Sequence, residues 1–270
     1  MKAYHDLVER VLAHGVRKTN RTGTDTISAF AEHYKVDLAH GFPLLTTKKV
    51  QFRSVILEML WYLRGEDHIR WLRDEQDCHI WDAWAGDDGF VGPIYPVLWR
   101  NWPMGDPYAG TGEVPRVDQL KNAIHLLRTD PNSRRIVVNT WHPGLLHRMA
   151  LPPCHLLFIF NVSGGRLHCH LTQRSGDIAL GIPFNLACYS ALTMAIAQEV
   201  GLEPGVFAHT IVDAHIYENH VDGLREQLTR QIRPLPRLTI APKPLDELAF
   251  ADFVLDGYDP HPGIRFEVAV

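Results

Sequence analysis

A cysteine, a glutamate and a set of arginines are the residues of this 270-residue chain whose types and positions point to chemistry. Cys154 stands in LPPCHLLFIF, residues 151–160, directly behind Pro152 and Pro153 and ahead of an apolar run. Prolines fix the backbone where a strand begins, which is one way to present a thiol at an edge; a small core hydrophobe is the other use of such a cysteine. Gln173-Arg174-Ser175 follows after a hairpin-length stretch that returns it beside Cys154, where a guanidinium favours the nucleophilic thiolate. Glu58 interrupts FRSVILEMLWYL, a helical pattern apolar on nearly every side. Burial raises a carboxyl pKa toward the range where it relays protons, unless the group pairs with Arg53 or Lys49 near the helix start. Arg21, the pair Arg134-Arg135, and Arg174-Ser175 are of the type that holds phosphate through guanidinium forks and a hydroxyl, or else are solvated surface charges. Their spacing does not decide whether they meet. Among sixteen histidines, His168-Cys169-His170 invites a zinc reading, but alternate strand residues share a face, so only His168 and His170 converge and no metal site is expected.

The elements that must position these groups follow from apolar periodicity. A helix is expected over 2–14, a polar turn in RKTNRTGTDT, alternation typical of a strand over about 26–38, and a buried helix over 52–63. The segment 79–103 crowds Trp81, Trp84, Trp99 and Trp102 among Gly and Pro and reads as a structured loop region. A helix is expected near 117–128, followed by DPNSRR and the strand pattern IVVNTW. HLLFIFNVS, the turn Gly164-Gly165 and RLHCHLTQ form a hairpin signal. Pro183 opens a core helix over roughly 184–200 that ends at Gly201; the tail from IVDAHIYENH onward carries one more helix and several short strands. Irregular alternation of strands and helices gives a single α+β domain over 1–270 with a mixed or antiparallel sheet.

Composition narrows the function classes. With 46% hydrophobic and 21% charged residues the chain can build a core, and a net charge of −4 gives no global attraction to nucleic acid or anionic membrane. Four cysteines without a C-x-x-C pair, and an amphipathic rather than secretory N-terminus, point to the cytoplasm. No apolar run is long enough for a membrane span.

Taken in order, RTGT at 21–24, FPLLTTKK at 42–49, Glu58, IWDAWA at 80–85, GPIY at 92–95, DPNSRRIVV at 130–138, LPPCH at 151–155, QRSGD at 173–177, LGIPFN at 180–185, DAHIYENH at 213–220 and YDPHP at 258–262 resemble the folate-dependent thymidylate synthases. The superfamily also holds pyrimidine nucleotide hydroxymethylases with the same nucleophile and methylene donor. The resemblance implies that Cys154 attacks C6 of dUMP, that 5,10-methylenetetrahydrofolate supplies the one-carbon unit, and that reductive methylation gives dTMP, with a hydroxymethyl product as the alternative. It implies that Arg21, Arg174 and Ser175 hold the phosphate, that Arg134 and Arg135 reach the partner's site in a homodimer formed through a sheet face, and that Asn185 reads uracil. His215 and Tyr217 would bind the sugar, Tyr95 and Glu58 belong to the proton network, and His155 supports the nucleophile. Folate would meet Lys48, Glu58, Ile80, Trp81, Trp84, Leu151, Asp177, Gly181, Phe184, Tyr217 and the terminal Ala269-Val270, with Asp177 also in the catalytic set.

The chain departs from the family pattern at Pro96-Val97-Leu98, where relatives carry a glycine and an amide, and at Gln51, Ala83, Thr172 and Ala179. An inactive nucleotide- or RNA-binding relative would have no need to keep Cys154, Glu58, Arg174 and Asn185 together, and the acidic net charge argues against RNA as the main partner.

Overall fold

The computed structural model describes residues 1–20, 23–106, 108–110 and 112–268. Its centre is a six-stranded mixed sheet in the order β1-β2-β8-β7-β6-β5, built from β1 (Val16–Lys18), β2 (Thr26–Asp37), β5 (Val137–Asn139), β6 (His155–Ser163), β7 (Arg166–Asp177) and β8 (Glu203–Tyr217). All neighbouring pairs are antiparallel except β7 and β8, which run parallel. Two small ribbons, β3 (Trp102–Pro103) with β4 (Arg116–Val117) and β9 (Arg237–Ile240) with β10 (Phe253–Asp256), lie outside it.

The parallel step requires a crossover, and α5 (Gly181–Val200) supplies it. This helix is buried on nearly every side, so its sequence reads as uniformly apolar rather than striped. It begins at Gly181, two residues before Pro183, not at 184. The proline therefore sits in the first turn, where its missing N–H has no intrahelical partner to lose. Gly201 ends it with φ of 72°, the left-handed geometry that glycine adopts without strain.

α1 (Lys2–His14) buries Tyr4, Leu7, Val8 and Val11, one stripe at helical spacing, and α2 (Phe52–Arg64) buries every residue from Val55 to Leu63. α4 (Gln119–Thr129) starts at Asp118, whose carboxylate accepts the Lys121 N–H at 2.8 Å. α6 (Val221–Thr229) closes the set. The region 79–103 is not all loop: α3 (Tyr95–Arg100) forms there, with Pro96 in its first turn. The tail differs more. It carries the expected helix, α6, and the short strands β9 and β10, but its first residues, from Ile211, belong to the fifteen-residue β8, a central strand of the sheet.

The two faces of the sheet are unlike. The cross-strand row Val138, Phe158, Leu171, His209 and Tyr34 is buried. The next row, Val137, Ile159, His170, Ala208 and Lys35, is partly or fully exposed and lies on the opposite face.

Candidate active site

Cys154 precedes β6 at a bend and is partly exposed, so it is not a core thiol. Its backbone N–H donates to the Tyr95 hydroxyl at 2.7 Å, which fixes the first residue of α3 against the loop that holds the thiol. The hairpin closes as the Gly164-Gly165 turn predicts, with φ of 59° and 73°. It returns Arg174 to the cysteine: the Arg174 N–H donates to the Cys154 carbonyl at 2.9 Å. The guanidinium donates to the Pro153 and Pro152 carbonyls at 2.9 and 2.8 Å and faces the Trp141 ring. A fixed positive charge thus sits beside the thiol loop.

His155 is buried against the Tyr95 ring, with centroids 4.7 Å apart, and its Nδ1 lies 3.0 Å from the Tyr189 hydroxyl. Burial pushes its pKa down to about 3, with the Arg174 charge acting the same way and a hydrogen bond to Asn185 opposing. The imidazole is therefore a neutral support for Asn185 rather than an acid. Asn185 lies in the first turns of α5, facing Gly181: a Cβ on that glycine would lie 3.7 Å from Asn185 Oδ1 and 3.9 Å from Asp177 Cβ.

Glu58 is buried and accepts a hydrogen bond from Trp81 Nε1 at 2.8 Å. Arg53 instead donates to the Gln76 carbonyl, so the ion pair between Arg53 and Glu58 is not realised. Burial pushes the Glu58 carboxyl up to about 7, against the lowering effect of hydrogen bonds from Trp81 and Tyr62. The Tyr95 ring packs on Tyr62 at 5.1 Å and Trp81 at 6.1 Å, which makes the carboxyl, the phenol and the cysteine loop one contiguous array.

The far side of the site is polar and, at Lys18, Asp213, His215 and Ser175, more exposed. Asp177, at the end of β7, accepts the Ala179 and Leu180 N–H groups at 2.8 and 3.3 Å. Lys48 donates to the Ala179 carbonyl; burial pulls its pKa down to about 8, with Asp177 opposing. Ser175 Oγ lies 3.5 Å from His215 Nδ1, and the His215 ring packs against Tyr217 at 5.3 Å. Asp213 is held well below the usual carboxylate range by His215, with Ser28 and Lys18 also hydrogen-bonded to it. Ile80, Trp84, Leu151 and Phe184 are partly buried against the core, and Trp84 meets Trp81 edge-on at 5.5 Å.

Residues 2–270 match the thymidylate synthase family model. The chain belongs to that family. It is an enzyme of the thymidylate synthase type, a transferase using folate and dUMP in one-carbon transfer. No group of His, Cys, Asp and Glu among the described residues could hold a metal ion, and none of the helices there is long and apolar enough to cross a membrane.

Arg134 and Arg135 are exposed ahead of β5 and form no ion pair among the described residues. Arg21 and Ala269 lie outside the described residues. Reading the sequence missed Tyr62 and Tyr189, which back Glu58 and His155. The signal was available: Tyr62 follows Glu58, and Tyr189 follows Asn185, by four residues on the same helix face. It also missed His220, fully buried, whose Nε2 lies 2.8 Å from the Glu267 carbonyl and whose Nδ1 lies 3.8 Å from Asp177.

Proposed function

We propose that this thymidylate synthase family member converts dUMP to dTMP by reductive methylation, with Cys154 as the nucleophile. The observation that carries this reading is the packing of Tyr95, whose hydroxyl accepts the backbone N–H of the partly exposed Cys154, against the Tyr62 and Trp81 rings that flank a buried carboxyl whose pKa lies near neutrality. Cys154 Sγ adds to C6 of the pyrimidine, and the electron pair of the C5–C6 bond moves toward C5 and O4. Asn185 donates to O4 and accepts from N3–H, which favours uracil over cytosine. Glu58, in either protonation state near pH 7, gives and takes protons at O4 and C5 through Tyr95 and water. Arg174 and Ser175, with Arg21, hold the phosphate; His215 and Tyr217 hold the sugar. Trp81, Trp84, Ile80, Leu151, Phe184, Gly181, Lys48 and Asp177 form the wall for the co-substrate, with Ala269 beyond the described residues. The donor set fits a folate: apolar rings to stack on, a carboxylate to accept ring N–H groups, and a lysine for an acidic tail. When bound, methylenetetrahydrofolate supplies the carbon and, in the reductive outcome, the hydride. Leu98 and Ala179 are fully buried, so neither of these departures opens the chain to solvent at its own position, which favours the methyl product.

A second copy of the chain, docked on the open sheet face, would supply its Arg134 and Arg135 to this phosphate site. A cytoplasmic location, resting on cysteine usage, belongs to the same reading. The deciding experiment is turnover of dUMP with methylenetetrahydrofolate, followed by nucleotide mass and by the absorbance of dihydrofolate. We expect dTMP and dihydrofolate in equal amounts; 5-hydroxymethyl-dUMP without dihydrofolate would replace the methyl product while leaving Cys154 in its role. Incubation with 5-fluoro-dUMP and the folate should leave a covalent adduct on Cys154, and an unmodified protein mass would reject both products.

A further inference from the structure

His209 occupies the centre of the buried sheet row, where its neighbours on either side are Leu171 and Tyr34. A fully buried imidazole in such a row is costly unless both ring nitrogens are satisfied. Both are. Nδ1 lies 2.8 Å from the Tyr34 hydroxyl and Nε2 lies 2.5 Å from Gln173 Oε1. The orientation of the Gln173 amide is set on its other side, because Nε2 donates to the Ser175 carbonyl at 3.1 Å. Gln173 Oε1 therefore accepts from His209 Nε2–H, which leaves Nδ1 as an acceptor for the Tyr34 O–H. The chain runs in one direction from Tyr34 through His209 and Gln173 to the backbone of Ser175, and Arg174 lies between the last two.

We propose that His209 is a positioning residue for nucleotide binding, locked as the neutral Nε2–H tautomer so that Gln173 holds the Arg174-Ser175 segment in register for the phosphate. The proposal rests on the assignment of that segment to the nucleotide phosphate. Burial disfavours the imidazolium and keeps the ring in the form the chain requires. Tyr34 and Gln173 are the polar side chains bonded to it; Phe207 meets it at 5.5 Å.

The test measures dUMP affinity by calorimetry and steady-state kinetics in wild type, His209→Phe, His209→Gln and Tyr34→Phe. His209→Phe removes the donor to Gln173 and should raise the dUMP Kd and KM by about tenfold while kcat and the folate KM change less than about twofold. Glutamine can place an N–H where imidazole Nε2 was, so His209→Gln should recover most of the affinity. Tyr34→Phe should cost less, about two- to threefold, because it leaves the bond to Gln173 in place. Nitrogen NMR of histidine-labelled wild type, which needs no variant to fold, should show His209 protonated at Nε2 alone from about pH 5 to 8. An Nδ1–H tautomer, titration in that range, or unchanged dUMP affinity in His209→Phe would overturn the proposal. Failure of the wild type to bind dUMP at all would instead remove the reading on which it rests.

Discussion

The two walls of the active site solve opposite electrostatic problems. On one side Glu58, Tyr62, Tyr95, His155 and Tyr189 are buried, and burial drives the ionisable groups toward their uncharged forms, Glu58 up to about 7 and His155 down to about 3. On the other, Lys18, Asp213, Ser28, His215 and Ser175 lie at the end of the sheet, and Asp213 is held ionised by hydrogen bonds that outweigh its desolvation. The dry wall can move protons because no charge there is strongly solvated; on the wet wall the proposed hold on a dianion comes from the Arg174 guanidinium and Ser175, while the Asp213 carboxylate serves to orient His215. Under the proposed function, turnover would depend on the first wall and affinity on the second.

The largest effect should come from Cys154, the proposed nucleophile. Cys154→Ser should lower kcat by at least about 10³-fold while dUMP still binds, because serine is a far weaker nucleophile without a base to activate it. Binding and turnover measured on the same preparation check this; retained turnover would remove the covalent step.

Glu58→Gln tests the dry wall, and we expect kcat to fall about 10²-fold with little change in dUMP affinity. It also has a stability consequence. Because the folded-state pKa lies above the ordinary 4.5, the protein keeps the benefit of a protonated Glu58 at low pH and loses it as pH rises through about 7. The gap between the two values corresponds to about 3 kcal/mol at high pH. Glu58→Gln should therefore raise Tm at about pH 8 and leave it nearly unchanged at about pH 4, with the kcat inflection near pH 7 abolished. Thermal melts and pH–rate profiles separate these outcomes, and a variant that loses Tm at pH 8 would contradict the assigned burial cost.

The wet wall predicts a smaller, different signature. Asp213→Asn should raise the dUMP KM about three- to fivefold with kcat nearly unchanged, by loosening His215. A fall in kcat with KM constant would break the division between the walls. The smallest effect concerns Lys48, which loses its charge as pH rises through about 8. The folate KM should climb about two- to threefold above that pH, and Lys48→Gln should flatten the dependence.

Much of this was legible before the structure. The stripe of α1, the apolar run of α2, the hairpin with its paired glycines and the largely apolar α5 each follow from local pattern, and the motif series singled out Cys154, Glu58, Arg174 and Asn185 for the proposed site. β8 was not legible in full, for a physical reason. Its buried positions include Gly205 and His209, while its open-face positions include Val206, Ala208 and Val212, so the expected alternation is blurred. α3 was hidden because six residues among tryptophans and prolines give too short a period to read. The His209 chain joins residues far apart in sequence and depends on the parallel register of β7 and β8, which no local pattern encodes. The arginines of DPNSRR were legible by type, yet their proposed work lies across an interface that one chain does not contain.

The strands at both margins of the central sheet, β1 and β5, are three residues long. A longer unpaired margin would be a template on which further chains could add, strand upon strand, without limit. Here each margin offers almost no ladder to extend. An association through the broad open face would bury that face in both copies and leave nothing for a third, so growth would terminate where the symmetry closes.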